Sequence, residues 1–84
     1  MKLVFDPNAF EDLRHWIDTD RRKPLKIVDL IENTLASPFE GLGKPEPLKF
    51  ELAGCWSRRI DQEHRLVYKV ERDALIILAC RYHY

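Results

Sequence analysis

Hydrophobic positions in the first half of the chain recur with helical spacing. A short strand is predicted over Lys2–Phe5, and Asp6–Pro7 then gives a helix start signal, because a carboxylate caps free N–H groups and proline fits a first turn. Thr19–Asp20 offers a second cap. The two apolar stripes comprise Phe10, Leu13, Trp16 and Ile17 in the first helix, then Ile27, Val28, Leu30, Ile31, Thr34 and Leu35 in the second, which ends near Ser37–Pro38. Joined by a short turn, the two helices are predicted to form a hairpin.

Residues 56–70 alternate with a period of two on both sides of the polar segment 61–63, which predicts a β-hairpin. With 61–63 as the loop, the residues that face each other are Trp56 and Tyr68, Arg58 and Leu66, Arg59 and Arg65, and Ile60 and His64. One face is then apolar apart from Arg58. The other face places Arg59 opposite Arg65, and such like charges destabilise a sheet by up to about 1 kcal/mol. Either a bound anion offsets this repulsion or both side chains simply extend into solvent.

One further strand is predicted before this hairpin and one after it. Leu48, Phe50 and Leu52 face one way, so a strand is expected after the loop at 37–47. Residues 74–80 are apolar at both parities, as in a central strand covered on both sides. One strand, two helices and then a run of strands indicate one α+β domain spanning 1–84. We expect an antiparallel sheet of about four to five strands, with the helical hairpin packed on one face against the even-numbered apolar residues.

Charge and composition narrow the function classes. The chain holds 14 Lys and Arg against 14 Asp and Glu, and a net charge of zero argues against a general nucleic-acid coat. No apolar run approaches the ~20 residues that a membrane-spanning helix needs, and no signal-peptide core precedes Asp6. A cytoplasmic location without membrane contact is therefore expected. Cys55 and Cys80 lack a paired spacing and are expected to be buried, reduced thiols.

Three groups of polar residues could act on a phosphodiester. Glu46 lies between two prolines, which stiffen its backbone and suit its carboxylate to act as a general base; an exposed loop acid is the plainer alternative. The polar face of the sheet offers four cations, Lys49, Arg59, Arg65 and Lys69. His83 and Tyr84 follow the last strand, and that position fits either a proton-donating imidazole or a frayed tail.

A carboxylate, an arginine and a histidine form a set that can cleave RNA through its own 2′-hydroxyl without a metal. The base removes the hydroxyl proton, the arginine stabilises charge on the phosphoryl oxygens, and the acid protonates the departing 5′-oxygen. Neither a metal nor a cofactor is predicted, because Cys80 and His83 have no second ligand pair to complete a site. His15 and His64 are expected on a helix surface and in the hairpin turn.

Four segments resemble the YoeB toxins of the RelE superfamily: P-F-E-G-L-G-K-P-E-P-L-K (38–49), W-S-R-R-I (56–60), E-H-R-L-V-Y (63–68) and A-C-R-Y-H-Y (79–84). The resemblance extends over the whole chain. It implies a RelE-like fold and a toxin of a type II toxin–antitoxin system, acting as a ribosome-dependent endoribonuclease on mRNA in the A site and so inhibiting translation. By position it implies the site residues Glu46 as general base, Arg65 as transition-state arginine, His83 as acid, Tyr84 as substrate-orienting residue, and Lys49 and Arg59 as phosphate contacts.

The same resemblance implies the partners. A YefM-type antitoxin would wrap and inhibit the toxin, operator DNA would be contacted only through that complex, and a homodimer is an additional assembly left open. Two other function classes remain as alternatives: a non-catalytic, antitoxin-bound co-repressor and a plain RNA-binding domain. The presence of Glu46, Arg65 and His83 disfavours the first alternative. The neutral charge and the lack of an aromatic stacking motif disfavour the second.

Overall fold

The computed structural model describes residues 1–82, so the predicted site residues His83 and Tyr84 lie outside the described residues. In chain order the elements are β1 (Lys2–Phe5), α1 (Pro7–Thr19), α2 (Arg22–Ala36), β2 (Glu46–Pro47), a 3₁₀ turn (Phe50–Leu52), β3 (Trp56–Arg59), β4 (Arg65–Glu71) and β5 (Ala74–Ala79). Both predicted helix starts are confirmed, because the side chains of Asp6 and Asp20 accept hydrogen bonds from backbone N–H groups in the first turns. The predicted α+β class is confirmed as well.

The five strands form one sheet in the order β1-β5-β4-β3-β2. Three neighbouring pairs are antiparallel, but β1 runs parallel to β5, with Phe5 opposite Ile77. The expectation of a wholly antiparallel sheet is therefore wrong at this edge. The direction of an edge strand depends on how the helices return the chain to the sheet, and alternation within the strand carries no information about that path. The middle strand is β4, flanked by β5 and β3.

Both helices pack on one face of the sheet, but α1 uses a different stripe from the predicted one. Ala9 and Trp16 are buried and Leu13 packs against the core, whereas Phe10 and Ile17 are 64% and 41% exposed. Apolar residues lie on both sides of Leu13 along this helix, so spacing alone did not fix which side faces inward. The stripe of α2 is closer to the prediction, with Ile27, Leu30, Ile31 and Thr34 buried. No helix within residues 1–82 is long and apolar enough to cross a membrane.

The predicted strand at 48–52 does not form. The ladder ends where the N–H of Leu48 donates to the carbonyl of Cys55, and the chain between them turns through the 3₁₀ segment. Only Glu46–Pro47, which the sequence placed in the loop, pairs with β3. Phe50 adopts a left-handed backbone with φ of 57° and is 91% exposed, so it cannot contribute to an apolar face. The short return from β2 to β3 overrides the alternating pattern.

A β-bulge in β5 changes which side chains face the helices. Val67 pairs with Ala79 and Tyr68 pairs with Ile77, so Leu78 is an extra residue without a partner on β4. Before the bulge the core residues of β5 are Leu75 and Ile77, which are odd-numbered, contrary to the expected even-numbered face. After it the even-numbered Cys80 enters the core. The bulge therefore reverses which residues face the helices immediately before the C-terminal segment.

Candidate active site

The sheet face opposite the helices carries the predicted polar residues in adjacent rows. Glu46 is directly opposite Ser57, and Ser57 is opposite Val67, while Arg59 is opposite Arg65 in the neighbouring row. Directly opposed residues on antiparallel strands point to the same face. Ser57 and Val67 are only 3% and 1% exposed, so they form a floor between the longer side chains. The register confirms the predicted pairing of the two arginines.

Glu46 is held in place by its backbone and left free at its carboxylate. It begins the two-residue edge strand β2, and the prolines on either side restrict its chain geometry. Its side chain is exposed, and no hydrogen bond or ion pair from residues 1–82 reaches its carboxylate. A general base needs a carboxylate oxygen that is accessible in this way.

The two arginines differ in how firmly they are held. The side chain of Arg59 is exposed, and it is the backbone N–H of this residue that donates to the carbonyl of Gly43 at 2.6 Å. Arg65 is half-buried, and its Nη1 donates to the carbonyls of Asp61 at 2.9 Å and His64 at 3.2 Å. Neither guanidinium forms a salt bridge with a carboxylate of the described chain. The remaining N–H groups of Arg65 can therefore point at an anion while the guanidinium stays fixed.

The two lysines are less available than the arginines to bind an anion on this face. Lys69 donates to Glu71 at 2.9 Å, and this hydrogen bond raises the pKa of the lysine. Lys49 is exposed and precedes the 3₁₀ turn beyond the end of β2, so no strand register assigns it to the rows of Glu46 and Arg65. Among the described candidates, the structure thus brings together Glu46, Arg59 and Arg65 and leaves Lys49 at the margin.

Arg58 fixes the loop that leads to Glu46, a role that the sequence did not reveal. This arginine is fully buried, and its guanidinium donates five hydrogen bonds, to Tyr68 Oη, Asn33 Oδ1, and the carbonyls of Leu42, Ser37 and Glu40. Four of the five acceptors belong to the end of α2 and the loop behind it. The loop can approach this closely because Gly43 has φ of 78°, and a Cβ there would lie 3.1 Å from Arg58 Cβ.

The segment that leads to His83 and Tyr84 is anchored at two successive points. The backbone N–H of Cys80 donates to Asp12 at 3.0 Å, and its carbonyl accepts from Trp16 Nε1 at 2.8 Å. The N–H of Tyr82 donates to Nδ1 of His64 at 2.7 Å, and its carbonyl accepts from the N–H of Arg65 at 2.8 Å. His64 is 8% exposed, so it is a buried partner of this segment as well as a neighbour of the turn.

The chemistry of Cys80 fits a structural residue. Burial, with a smaller effect of Asp12, raises the pKa of its thiol to about 12, and Sγ lies 3.5 Å from the carbonyl oxygen of Ala9. Both cysteines are free, although Cys55 is only half-buried and not buried as expected. Cys80 therefore remains a neutral thiol packed in the core.

The hairpin loop beside the site depends on the charge of Asp61, and this gives a pH prediction. Burial alone would raise the pKa of this carboxyl, but the Lys23 ammonium at 2.8 Å and the N–H groups of Glu63 and His64 lower the pKa from 3.8 to about 2. Because the pKa of Asp61 is lower in the folded state, its ionised carboxylate stabilises the fold. This contribution to the free energy of unfolding is fully present above about pH 5 and is lost as the pH falls towards 2. Because the side chain is 31% exposed, we expect a contribution of about 1 kcal/mol after solvent screening.

Asp61→Asn should therefore lower the free energy of unfolding by about 1 kcal/mol at pH 7, with the difference from the parent chain shrinking as the pH approaches 3. Urea unfolding at several pH values measures this. A difference that stays constant down to pH 3 would contradict the assignment.

Comparisons with known proteins agree with this fold. The family model for the YoeB-like toxin of bacterial type II toxin–antitoxin systems matches residues 5–84. The chain is 56% identical to Toxin YoeB of Escherichia coli K12, over 100% of both chains. A YoeB/ParE toxin from Agrobacterium tumefaciens superposes with a TM-score of 0.97, 51% identity and full coverage of both chains.

Two structures from Staphylococcus aureus show the assemblies of a relative. A YoeB dimer matches with a TM-score of 0.93 and 42% identity, and a YoeB–YefM complex matches with a TM-score of 0.91 and 41% identity. Each covers 100% of this chain and 98% of the relative. With the family model matched over nearly its full length, the chain belongs to the YoeB-like toxin family of bacterial type II toxin–antitoxin systems.

Proposed function

We propose that this toxin is an endoribonuclease that cleaves mRNA in the ribosomal A site and thereby stops translation in the cytoplasm. The observation that carries the proposal is the placement of Glu46, Arg59 and Arg65 on one sheet face, with no carboxylate of the described chain paired to either arginine. An accessible carboxylate beside unpaired guanidinium groups suits a phosphodiester, because it combines a base with fixed positive charge.

The strand geometry leaves room for the scissile phosphate. Glu46 and Arg65 are separated by two strand spacings and two residues along the strand. That corresponds to about 10 Å across the sheet and about 7 Å along it. Both side chains are long and can reach inward across this gap, so one nucleotide can contact both without an intervening ion pair. Arg59 lies on the same face and supplies a second cation.

Within this site each residue has one task. Glu46 removes the proton from the 2′-hydroxyl, whose oxygen attacks the phosphorus. Arg65 stabilises the charge that grows on the phosphoryl oxygens, with Arg59 and Lys49 contacting flanking phosphates. His83 protonates the 5′-oxygen as its bond to phosphorus breaks, and Tyr84 orients the substrate. General acid and base catalysis supply typically ~10²–10⁴-fold.

The partners follow from the relatives. The Staphylococcus aureus relative is solved in complex with YefM and also as a dimer. We therefore propose that a YefM-type antitoxin binds and inhibits this toxin, that operator DNA is reached only through that complex, and that the toxin also forms a homodimer. The net charge of zero supports a protein that meets RNA at a defined site rather than coating it.

The chemistry of the products provides the test. Cleavage of mRNA on programmed ribosomes should leave 2′,3′-cyclic or 3′-phosphate ends and a 5′-hydroxyl, because the nucleophile belongs to the RNA. A single 2′-deoxy substitution at the scissile nucleotide should abolish cleavage there, and the same substitution one codon away serves as the control. Mass spectrometry of the fragments identifies the ends. Products with 3′-hydroxyl ends would overturn the mechanism, and an intact mRNA would favour a non-catalytic co-repressor.

A further inference from the structure

The backbone of the C-terminal segment is fixed by residues that the proposed mechanism does not use. Both polar backbone groups of Cys80 bind α1, through Asp12 and Trp16. Two residues later, both polar backbone groups of Tyr82 bind the start of β4, through His64 and Arg65. The second anchor adjoins the proposed catalytic arginine.

His64 is suited to this anchor by the position of its ring. Its ring is 8% exposed, packs edge-on against Trp16 with centroids 4.7 Å apart, and lies 5.6 Å from the ring of Tyr82. Nδ1 accepts the N–H of Tyr82 at 2.7 Å, which leaves Nε2 as the ring nitrogen that can donate. Nε2 is 3.7 Å from a carboxylate oxygen of Glu63, on the solvent side of the loop.

Tyr82 has a backbone conformation that its own residue type disfavours, so the contacts of the anchor must hold it there. Its φ is 63°, in the left-handed region that an aromatic residue rarely adopts. Such a conformation persists only where the surroundings fix it. Here the fixing contacts are its N–H to His64 and its carbonyl to Arg65. That carbonyl belongs to the peptide group that joins Tyr82 to His83, so the contact with Arg65 lies at the last peptide group before the proposed acid.

We propose that His64 is a positioning residue for the active site: by accepting the N–H of Tyr82, it sets the backbone from which the proposed acid His83 extends and keeps it in register with Arg65. This inference rests on the proposed function. His64 does not touch the substrate; it acts through the segment at 80–82. Its acceptor nitrogen, and not merely the bulk of its ring, is the feature that matters.

The test compares variants that keep or remove this acceptor. His64→Leu should lower the single-turnover cleavage rate at saturating programmed ribosomes by about 10- to 100-fold, because a misplacement of ~1 Å in an active site costs about that much. The ribosome concentration for half-maximal rate should change by less than about threefold. His64→Asn places Oδ1 near the position of Nδ1 and should restore the rate to within about fivefold. His64→Gln, whose oxygen reaches towards Nε2, should not.

The matched control is His15. It also packs edge-on against Trp16, with centroids 4.9 Å apart, but it forms no hydrogen bond with residues 80–82. His15→Leu should therefore cleave at the parent rate. Hydrogen exchange measured by NMR gives a second readout, since the Tyr82 amide should be protected in the parent and in His64→Asn and exposed in His64→Leu and His64→Gln.

The outcomes separate this inference from the proposed function. A parent protein that does not cleave overturns the proposed function, while protection of the Tyr82 amide still reports on the anchor. A parent that cleaves, together with His64→Leu at an equal rate, overturns the positioning role. Equal losses in His64→Asn and His64→Gln also overturn it, because they would show that only ring packing matters. If His64→Leu does not fold, the cleavage rates of His64→Asn and His64→Gln decide whether the acceptor atom is needed.

Discussion

Replacing Arg65 with alanine is expected to lower single-turnover cleavage of ribosome-bound mRNA by roughly 10²–10³-fold, the loss typical of removing one pre-aimed donor to a developing negative charge. Two backbone carbonyls hold its guanidinium on the face that also carries Glu46, so no reorganisation is needed when charge grows on the phosphate. The rate should be measured at equal folded concentration, checked by thermal melting. Antitoxin binding should be largely retained, because the alanine leaves the strand pairing intact.

Arg65→Lys should recover only part of this activity, because one ammonium cannot reproduce the two-pronged contact of guanidinium with phosphate. Arg14→Ala is the matched control. Arg14 is an exposed arginine of α1, paired with Asp18 on the helical layer, and that layer lies on the opposite face of the sheet. A parent-like rate in Arg65→Ala would remove this residue from the mechanism.

The second large effect concerns stability. Arg58→Met should reduce the free energy of unfolding by roughly 3–5 kcal/mol, because it leaves the buried acceptors that now receive five hydrogen bonds without their donor. The similar shape of methionine does not reduce this loss, because the carbonyls of Ser37, Glu40 and Leu42 remain buried without a donor. For a domain of this size each kcal/mol corresponds to about 4–8 °C in Tm. Chemical and thermal unfolding measure the loss.

Arg59→Ala provides the control for that experiment, because Arg59 is the next residue along β3 and points to the exposed face. It should leave the melting temperature nearly unchanged while reducing cleavage. Cleavage by the folded fraction of Arg58→Met should also fall, since the loop held by Arg58 leads directly into Glu46. Equal stability of Arg58→Met and the parent would show that the buried cation does not hold the loop.

The hairpin illustrates what the sequence could predict. A polar three-residue loop between two alternating strands specifies both the register and the face of each side chain, and the pairing of Trp56 with Tyr68 and of Arg59 with Arg65 follows. The same alternation failed at 48–52, because a return of eight residues between paired strands needs a tight turn and local geometry prevails over pattern. Alternation placed Arg58 on the apolar face, but its partners could not be predicted, because most of its acceptors are loop carbonyls that any sequence would supply.

The candidate site was predictable to a similar extent. Alternation places Arg59 and Arg65 on one face, and the flanking prolines single out Glu46. The resemblance to the family was needed to give them roles. His64 was missed because its partner is the backbone N–H of Tyr82, which no side-chain motif encodes. The bulge at Leu78 was missed as well, since β5 is apolar at both parities and a shift of one residue leaves its pattern unchanged.

The parallel pairing of β1 with β5 has a consequence for synthesis of the toxin. Phe5 is opposite Ile77, so β1 pairs with a strand that is synthesised about 70 residues later. Until β5 has left the exit tunnel, β1 has no strand to bind and β4 lacks one neighbour, and such long-range contacts form late in folding. A nascent chain therefore cannot complete its sheet before β5 has left the tunnel.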